Sequence, residues 1–526
     1  SNPGGGEDLA FGFRTGDFEM LLSGRFLYQD RSGLKLPNTS PAPQVPAFQG
    51  DDLESSGLTR TSGVGLAKLA YHLDERSRIT ATGYLSVLDR GAEFADWTQL
   101  AHGIDDQGRF GENRVSVAKG FADIGAVVGL GESIELQVDG MYFSGAPTGR
   151  DRIELGSDIY YVRRDFRYQG GEISLGISWQ ALPSLSVVGG AGIIYDEERL
   201  PSSLHVLKTT VGSLKAGDVR ESTSVRQGIK AFLNPGGYIQ AAWTPIEKLL
   251  HITGGLRYDH HNIYGSQLSG RAAAVIHPIE DLHVKLLYGN AFKAPSPLLL
   301  YGVPVRSGDI IGNPDLDAQR VHTTEAQLAW TPWEFLTVRT DVAYSVLLNK
   351  AEFTLQGVNK VARNVAEVGS LSWETEVEAN YEDHLRGYLN LAVQHTVRDL
   401  GQKGYLTELV GGTNPIHPPV IVNLGASGKL PWAPVRLTLE ASWVAARHSS
   451  DDNSLEAGKV YDLDPYLMLD AGLSVFELAP FGQDKPTTIM LTARNLLGAS
   501  GPDPGFAGID LPLPPRMIML RWYQEM

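Results

Sequence analysis

The residue types able to do chemistry in this chain of 526 residues are few and scattered. Carboxylate pairs at Asp51-Asp52, Asp105-Asp106 and Asp451-Asp452 offer oxygen ligands to calcium, but none has EF-hand spacing or an obvious bidentate partner. His260-His261 suggests a metal site, yet neighbours in an extended strand point to opposite faces and do not easily chelate one ion. With no cysteine, thiolate metal sites, disulfides and cysteine nucleophiles are excluded together. No G-x-S-x-G, H-E-x-x-H, P-loop or dinucleotide fingerprint sits in a strand-to-helix context. The expectation is no metal centre and no enzyme, with calcium in loop regions the one cofactor left open. What remains is a set of charges at alternate positions of otherwise apolar segments.

Those segments alternate with a period of two almost everywhere, and no helical stripe exceeds two turns. Over 335–346, Leu336, Val338, Thr340, Val342, Tyr344 and Val346 share one face, while Thr337, Arg339, Asp341, Ala343 and Ser345 share the other. Ile173, Leu175, Ile177 and Trp179 split likewise from Ser174, Gly176, Ser178 and Gln180. Trp373, Thr375, Val377, Ala379 and Tyr381 split from Glu374, Glu376, Glu378 and Asn380. A soluble sandwich alternates too, so the connections decide. Short turns near 16, 75, 131, 183, 246, 279, 332, 383, 432 and 483 alternate with long polar connections such as 29–56, 89–113, 196–236, 291–319, 399–416 and 447–464. One trimmed rim and one elaborated rim is the pattern of an outer-membrane barrel, with short periplasmic turns and long external loops. Trp179, Trp243, Trp330, Trp333 and Trp432 fall beside the short turns as an interfacial girdle would; the competing reading is that they cap a soluble core.

The spacing therefore predicts an all-β fold, a transmembrane antiparallel β-barrel occupying 1–526 as one domain, with about 21 strands. An odd number does not close an antiparallel sheet, so a twenty-second strand is expected before residue 8. Composition agrees. No apolar run is long enough for a membrane helix, mean hydropathy is -0.14, and the formal charge of -16 without a long basic run argues against nucleic acid as partner. The opening Ser1-Asn2-Pro3-Gly4-Gly5-Gly6 has no export signal, so an exported protein is expected here in mature or truncated form. The charges Arg257, Asp259, Arg271, Glu325, Arg339, Asp341, Glu374, Glu376, Glu378, Arg436 and Glu440 are costly against lipid and should face the lumen.

One block is more specific. Gly255-Leu256-Arg257-Tyr258-Asp259 is followed by Leu287-Tyr288-Gly289-Asn290-Ala291-Phe292-Lys293-Ala294-Pro295-Ser296, then by Gly312-Asn313-Pro314-Asp315-Leu316 and Glu325. Arg363-Asn364-Val365-Ala366, Arg494-Asn495-Leu496-Leu497 and Pro515-Arg516 come later, in order. This resembles the barrel of TonB-dependent outer-membrane receptors, the 22-stranded transporters of siderophores, cobalamin and other scarce solutes. Lys293 stands where that family usually has arginine, Gln319 near its glutamate, and the chain ends Gln524-Glu525-Met526 where the family ends on an aromatic residue.

The resemblance implies an energised importer in the outer membrane of a diderm bacterium, embedded in outer-membrane lipid, taking a small-molecule ligand and driven by the TonB system. It also implies a plug domain and a TonB-contacting segment, neither of which is in this chain; the plug was removed, left out or carried by a separate polypeptide. The lumen charges would then hold the plug, or form a merely solvated inner wall. Ligand contacts would come from the plug apex and the external loops, with Lys293, Tyr301, Arg306, Asn313, His205, Lys208, Arg220 and Arg226 as candidates beside the plainer reading of solvated loop residues. The alternatives are a plugless or loop-gated diffusion channel and a barrel platform assembled with other envelope proteins.

Overall fold

The computed structural model describes residues 4–30, 59–91, 114–152, 159–221, 228–303, 310–356, 359–382, 384–399, 417–449, 460–482, 486–503 and 511–524. The described residues are almost wholly strand. In order it forms β1 (Gly4–Thr15), β2 (Phe18–Asp30), β3 (Thr59–His72), β4 (Arg78–Gly91), β5 (Arg114–Leu130), β6 (Ile134–Pro147), β7 (Tyr160–Leu182), β8 (Leu185–Leu207) and the short β9 (Val219–Glu221). Then come β10 (Ile229–Ile246), β11 (Leu250–His261), β12 (Gly265–Ile279), β13 (Leu282–Lys293), one short helix α1 (Pro297–Tyr301), β14 (Ile310–Ile311), β15 (Gln319–Trp333), β16 (Leu336–Gln356), β17 (Asn359–Tyr381) and β18 (Leu385–Asp399). The last are β19 (Val420–Lys429), β20 (Val435–Val444), β21 (Arg447–His448), β22 (Asp462–Leu463), β23 (Tyr466–Leu478), β24 (Thr487–Arg494), β25 (Pro502–Asp503), β26 (Leu511–Pro512) and β27 (Met517–Gln524).

The main sheet has 23 strands, of which β9 and β14 have only three and two residues, leaving the 21 long ones expected from the turn spacing. Each long strand pairs antiparallel with the long strands before and after it. The exceptions are the ends: among the described residues β1 pairs with β2 alone and β27 with β24 alone. With an odd number of antiparallel strands, the two edges run in the same direction, so an all-antiparallel closure needs a further strand running against both. At the outer rim Gln29 Nε2 nevertheless lies 4.0 Å from Met517 Sδ, so the two ends of the sheet approach each other.

Period-two alternation becomes two faces. Leu256 (58% exposed), Leu424 (55%) and Ile173 (61%) point outward, where an apolar side chain belongs only if lipid covers it. The outward positions of 336–346, 371–381, 385–393, 420–428 and 435–443 include no Lys, Arg, Asp or Glu. The one hydroxyl pair among them is closed on itself: Thr340 Oγ1 lies 3.0 Å from Thr375 Oγ1 and accepts from Trp373 Nε1 at 3.0 Å. Trp179, Trp243, Trp330, Trp333 and Trp432 are outward and exposed beside the short turns, which removes the soluble-core reading. Tyr142, Tyr195, Tyr258, Tyr288, Tyr344 and Trp373 form the opposite belt. On β17, Trp373 and Tyr381 mark the two belts; at ~3.3 Å per residue and ~40° tilt they stand roughly 20 Å apart along the normal, close to an outer-membrane apolar band.

The short turns recur because the local chemistry does. Gly16 (φ 53°) and Gly131 (φ 65°) take left-handed conformations in tight turns, and ladders slip by a bulge beside the turns at Trp243/Ile246, Ile276/Ile279 and Trp330/Trp333. The other rim is less uniform than its long connections suggested. Residues 262–264 join β11 to β12 in a short link, and β17 begins three positions after β16 ends. The segment 196–236, expected as a loop, is largely strand: β8 continues to Leu207, β9 adds to its edge, and β10 starts at Ile229. Above the belt both faces of a strand meet water, so nothing forces the alternation that would have revealed it.

Candidate functional site

The inner wall of the barrel is built by the residues between the outward ones. Register places Arg257 and Asp259 (β11), Arg271 (β12), Glu325 (β15), Arg339 and Asp341 (β16), Glu374, Glu376 and Glu378 (β17), and Arg436 and Glu440 (β20) on the inward face, as the cost of charge in lipid requires. Some close on one another. Arg257 Nε and Nη2 donate to the Asp259 carboxylate at 2.8 and 2.7 Å, with Asp259 only 3% exposed. Arg271 Nη2 donates to Gln240 Oε1. Arg339 Nη1 lies 2.9 Å from Glu376 and 3.4 Å from Glu378, in wet surroundings worth about 0–1 kcal/mol.

This sector remains acidic. Arg339 stands across from Glu376, and Asp341 across from Glu374, so four carboxylates share one guanidinium on β16 and β17. Asp341 Oδ2 is shielded and has no hydrogen-bond partner. Towards the short-turn end the wall opens into a cavity of about 500 Å³ lined by Glu378, Arg386, Tyr388, Ser427, Thr438 and Glu440. Gly425 makes room for the Tyr388 ring on this wall: a Cβ there would collide with the ring that lies across it.

At the outer rim, the sequence block carrying the family resemblance folds into a single clamp. Ser296 caps α1, Oγ accepting from Leu299 N, and Leu300 (1% exposed) packs with Leu316 and Ala362. Gly312 N donates to Gly302 O at 2.7 Å, an approach a side chain at Gly312 would prevent because its Cβ would meet the Tyr301 and Gly302 backbone. Asn313 Nδ2 donates to Ala362 O at 2.9 Å. Asn364 Oδ1 accepts from Asp317 N at 2.8 Å, and its Nδ2 donates to Asp317 O and Asn349 O at 3.1 and 2.7 Å. Gln319 Oε1 accepts from Ala351 N at 3.2 Å, so this position ties β15 to β16. Asn364→Ala leaves these backbone groups unpaired at a cost of about 1–3 kcal/mol. The expected result is proteolytic cutting within 294–318 while the transmembrane strands stay protected.

The ligand candidates fall in two rim groups. Lys293 ends β13, Tyr301 ends α1 beneath Lys230 Nζ at 4.4 Å from its ring, and Asn313 is engaged in the clamp. His205 lies in β8 rather than a loop, stacked on Tyr160 at 4.3 Å and paired in register with Arg220 of β9; Lys208 follows, its N–H donating to Ile159 O. Because α1 touches β8, the two groups are neighbours along the rim. Arg226, Arg306 and the three Asp pairs lie outside the described residues.

Two clusters escaped sequence reasoning. Above the outer belt Asp151 is fully buried, accepting from Ser116 N at 3.0 Å and from Arg164 Nε at 2.9 Å, while Asp89 pairs with Arg114 and Arg150 at 2.8 and 2.9 Å. Beyond Tyr195 on β8, Asp196 and Glu198 face inward, and burial pushes both carboxyls above their ordinary range, Glu198 further through repulsion from Asp196. A folded carboxyl that binds its proton more tightly than the unfolded one loses stability as pH rises between the two pKa values. Asp196→Asn should therefore raise the unfolding temperature at neutral pH, and the gain should vanish below the unfolded carboxylate pKa of about 4. A gain that persists there would assign the effect to packing.

Such a wall, apolar outside, ionic inside and belted by aromatics, defines a transmembrane β-barrel of the bacterial outer membrane. A family model described as TonB dependent receptor-like, beta-barrel, matches residues 13–496, and the chain belongs to that family. The chain is similar in structure to the outer membrane transporter YddB from Escherichia coli (TM-score 0.70, 12% identity, covering 98% of this chain and 74% of that one). It is similar also to the FrpB iron transporter from Neisseria meningitidis (0.71, 12%, 100% and 80%) and to the siderophore receptor PirA from Acinetobacter baumannii (0.73, 10%, 99% and 77%). No curated protein sequence matches the chain. The family and its structural neighbours are transporters and receptors, not enzymes.

Proposed function

We propose that this barrel is the wall of an energised importer for a scarce solute such as a metal–siderophore complex, gated by a plug domain on which TonB pulls. The observation that carries this is the uneven lumen wall: Asp341, Glu374, Glu376 and Glu378 facing inward with Arg339 the one cation across from them on β16 and β17. An open pore needs only a wetted wall, whereas a surplus of inward carboxylates fits a cationic surface seated against it. The clamp at the rim fixes α1 against β8, so Tyr301 stands near the His205–Arg220 pair, and these with Lys293 are the residues a solute entering from outside would meet first. The chemical kinds of solute named for PirA and FrpB support an iron-bearing one.

The test is to purify the barrel in detergent from its native membrane and map every polypeptide that accompanies it. A plug, joined or separate, together with solute uptake that stops when TonB is deleted, supports the proposal. A folded barrel without a plug that conducts ions continuously in planar bilayers assigns the diffusion channel instead. A different envelope protein along the β1 or β27 edge assigns the platform.

A further inference from the structure

Three histidines from separate strands meet on the inner wall at the short-turn end. His251 lies near the start of β11, His277 near the end of β12 and His283 at the start of β13. The register that turns Ile252, Leu268 and Leu286 outward turns all three imidazoles inward. The rings of His251 and His277 are 5.3 Å apart at 76°, and those of His277 and His283 are 4.4 Å apart at 82°. The Nδ1 atoms of His277 and His283 lie 2.6 Å apart, so one donates its proton to the other. Thr244 Oγ1, on β10, lies 2.9 Å from His251 Nδ1 and occupies one of that ring's two nitrogens.

Wetting does not explain this choice of residues. Elsewhere the same face of these strands carries Thr253, Ser269 and Gln240 and the charged Arg257, Asp259, Arg271 and Lys285, whereas imidazoles from three strands meet only at this end. Neutral imidazoles are donors for borderline transition ions rather than for calcium or magnesium.

We propose that His277 and His283, with His251 as third donor, bind a divalent transition-metal ion of the copper, nickel or zinc type at the periplasmic mouth of the lumen. Among the described residues no three His, Cys, Asp or Glu side chains converge on one point as they stand. The ion therefore draws the side chains in. The Nδ1 pair parts from 2.6 Å to the roughly 3.3 Å between two nitrogens held at ~2.0–2.1 Å from a tetrahedral ion. The imidazole that donates through Nδ1 moves that proton to Nε2, freeing both Nδ1 lone pairs with no change in net charge. His251 turns towards them, and water completes the shell. These are side-chain rotations on a face that borders the lumen, with His251 exposed, and the β11–β13 ladders keep their register. The site is independent of which solute the barrel passes. It lies at the far end of the lumen from the rim candidates, where an ion leaving the barrel meets it last.

Copper(II) alone is the probe, titrated into the chelator-washed full chain folded in detergent and read by calorimetry and electron paramagnetic resonance. The expected result is one tight equivalent with hyperfine coupling to at least two imidazole nitrogens, unaffected by excess calcium and weakened as the pH falls below about 6. His277→Ala combined with His283→Ala should lower the affinity at least tenfold, and His251→Ala should remove one nitrogen coupling. His322→Ala, on the outward face beside Tyr288, should change nothing. Folding of each variant is read from heat-dependent gel mobility, and the double Gln variant replaces the double Ala variant if that one does not fold. Unchanged affinity and nitrogen count in the folded double variant, or no tight equivalent in the folded parent chain, would overturn the site.

Discussion

Leu424→Arg should destabilise the barrel by about 2–4 kcal/mol, read as a lower urea midpoint for the loss of folded-barrel mobility in lipid bilayers. Leu424 sits mid-strand on β19 with 55% of its surface exposed, between Leu389 of β18 and Ala441 of β20 in register. In a water-soluble sheet the substitution would be harmless, since an exposed leucine gives way to a solvated charge. In lipid the guanidinium must be desolvated or must pull water and headgroups inward. The control is one residue away. Asn423 faces the lumen from the same strand, so Asn423→Arg should shift the midpoint by well under 1 kcal/mol. Equal effects of the two would refute the assignment of faces.

Asp151→Ala is the second large effect. Its carboxylate is fully buried and holds Ser116 N and the Arg164 guanidinium, and its loss leaves both without that partner. Removing one partner of a buried ion pair costs about 3–5 kcal/mol. The side chain of Arg164 is 34% exposed, which places the expected cost near the lower end, about 3 kcal/mol. Because this contact lies above the belt, the loss should be local: faster hydrogen exchange at 114–118 and 160–166, with the β5–β6 ladder below unaffected. Asp151→Asn, which keeps one acceptor oxygen, should recover part of it. Uniform loss of protection along β5 to β7 would show that the network supports the whole wall.

Lipid makes part of this protein legible in its sequence. Between the belts an outward residue must be apolar and an inward one is free to be charged, so Trp373 beside Glu374 and Val338 beside Arg339 declare their faces without any structure. The short turns are legible because glycine and strand-end tryptophans recur there. Where that constraint ends, so does the reading. His205 and Arg220 looked like loop residues because strands above the membrane no longer alternate. Asp151, in the connection that follows β6, meets Ser116 of β5 and Arg164 of β7, and His251, His277 and His283 meet from three strands; such contacts depend on register, which a single chain does not display. Asn313 and Asn364 were visible as parts of a resemblance, but only the structure shows them spending their amides on the rim clamp, which weakens the case for Asn313 as a ligand contact.

The order of the strands also bears on how the barrel is made. Every long ladder joins strands that follow one another along the chain, so each closes a short stretch and can form soon after its two strands exist. The approach of Gln29 to Met517 is the opposite case: it brings together residues 488 positions apart, through a contact far weaker than a ladder. Among the described residues no ladder joins β1 to β27, so the entropy lost in gathering the two edges is not repaid by pairing between them, and the line where these edges close should be the last to form during assembly and the first to part under force. A pulling experiment on a single barrel would see it as an initial low-force event, ahead of the hairpin-by-hairpin extraction of the remaining strands.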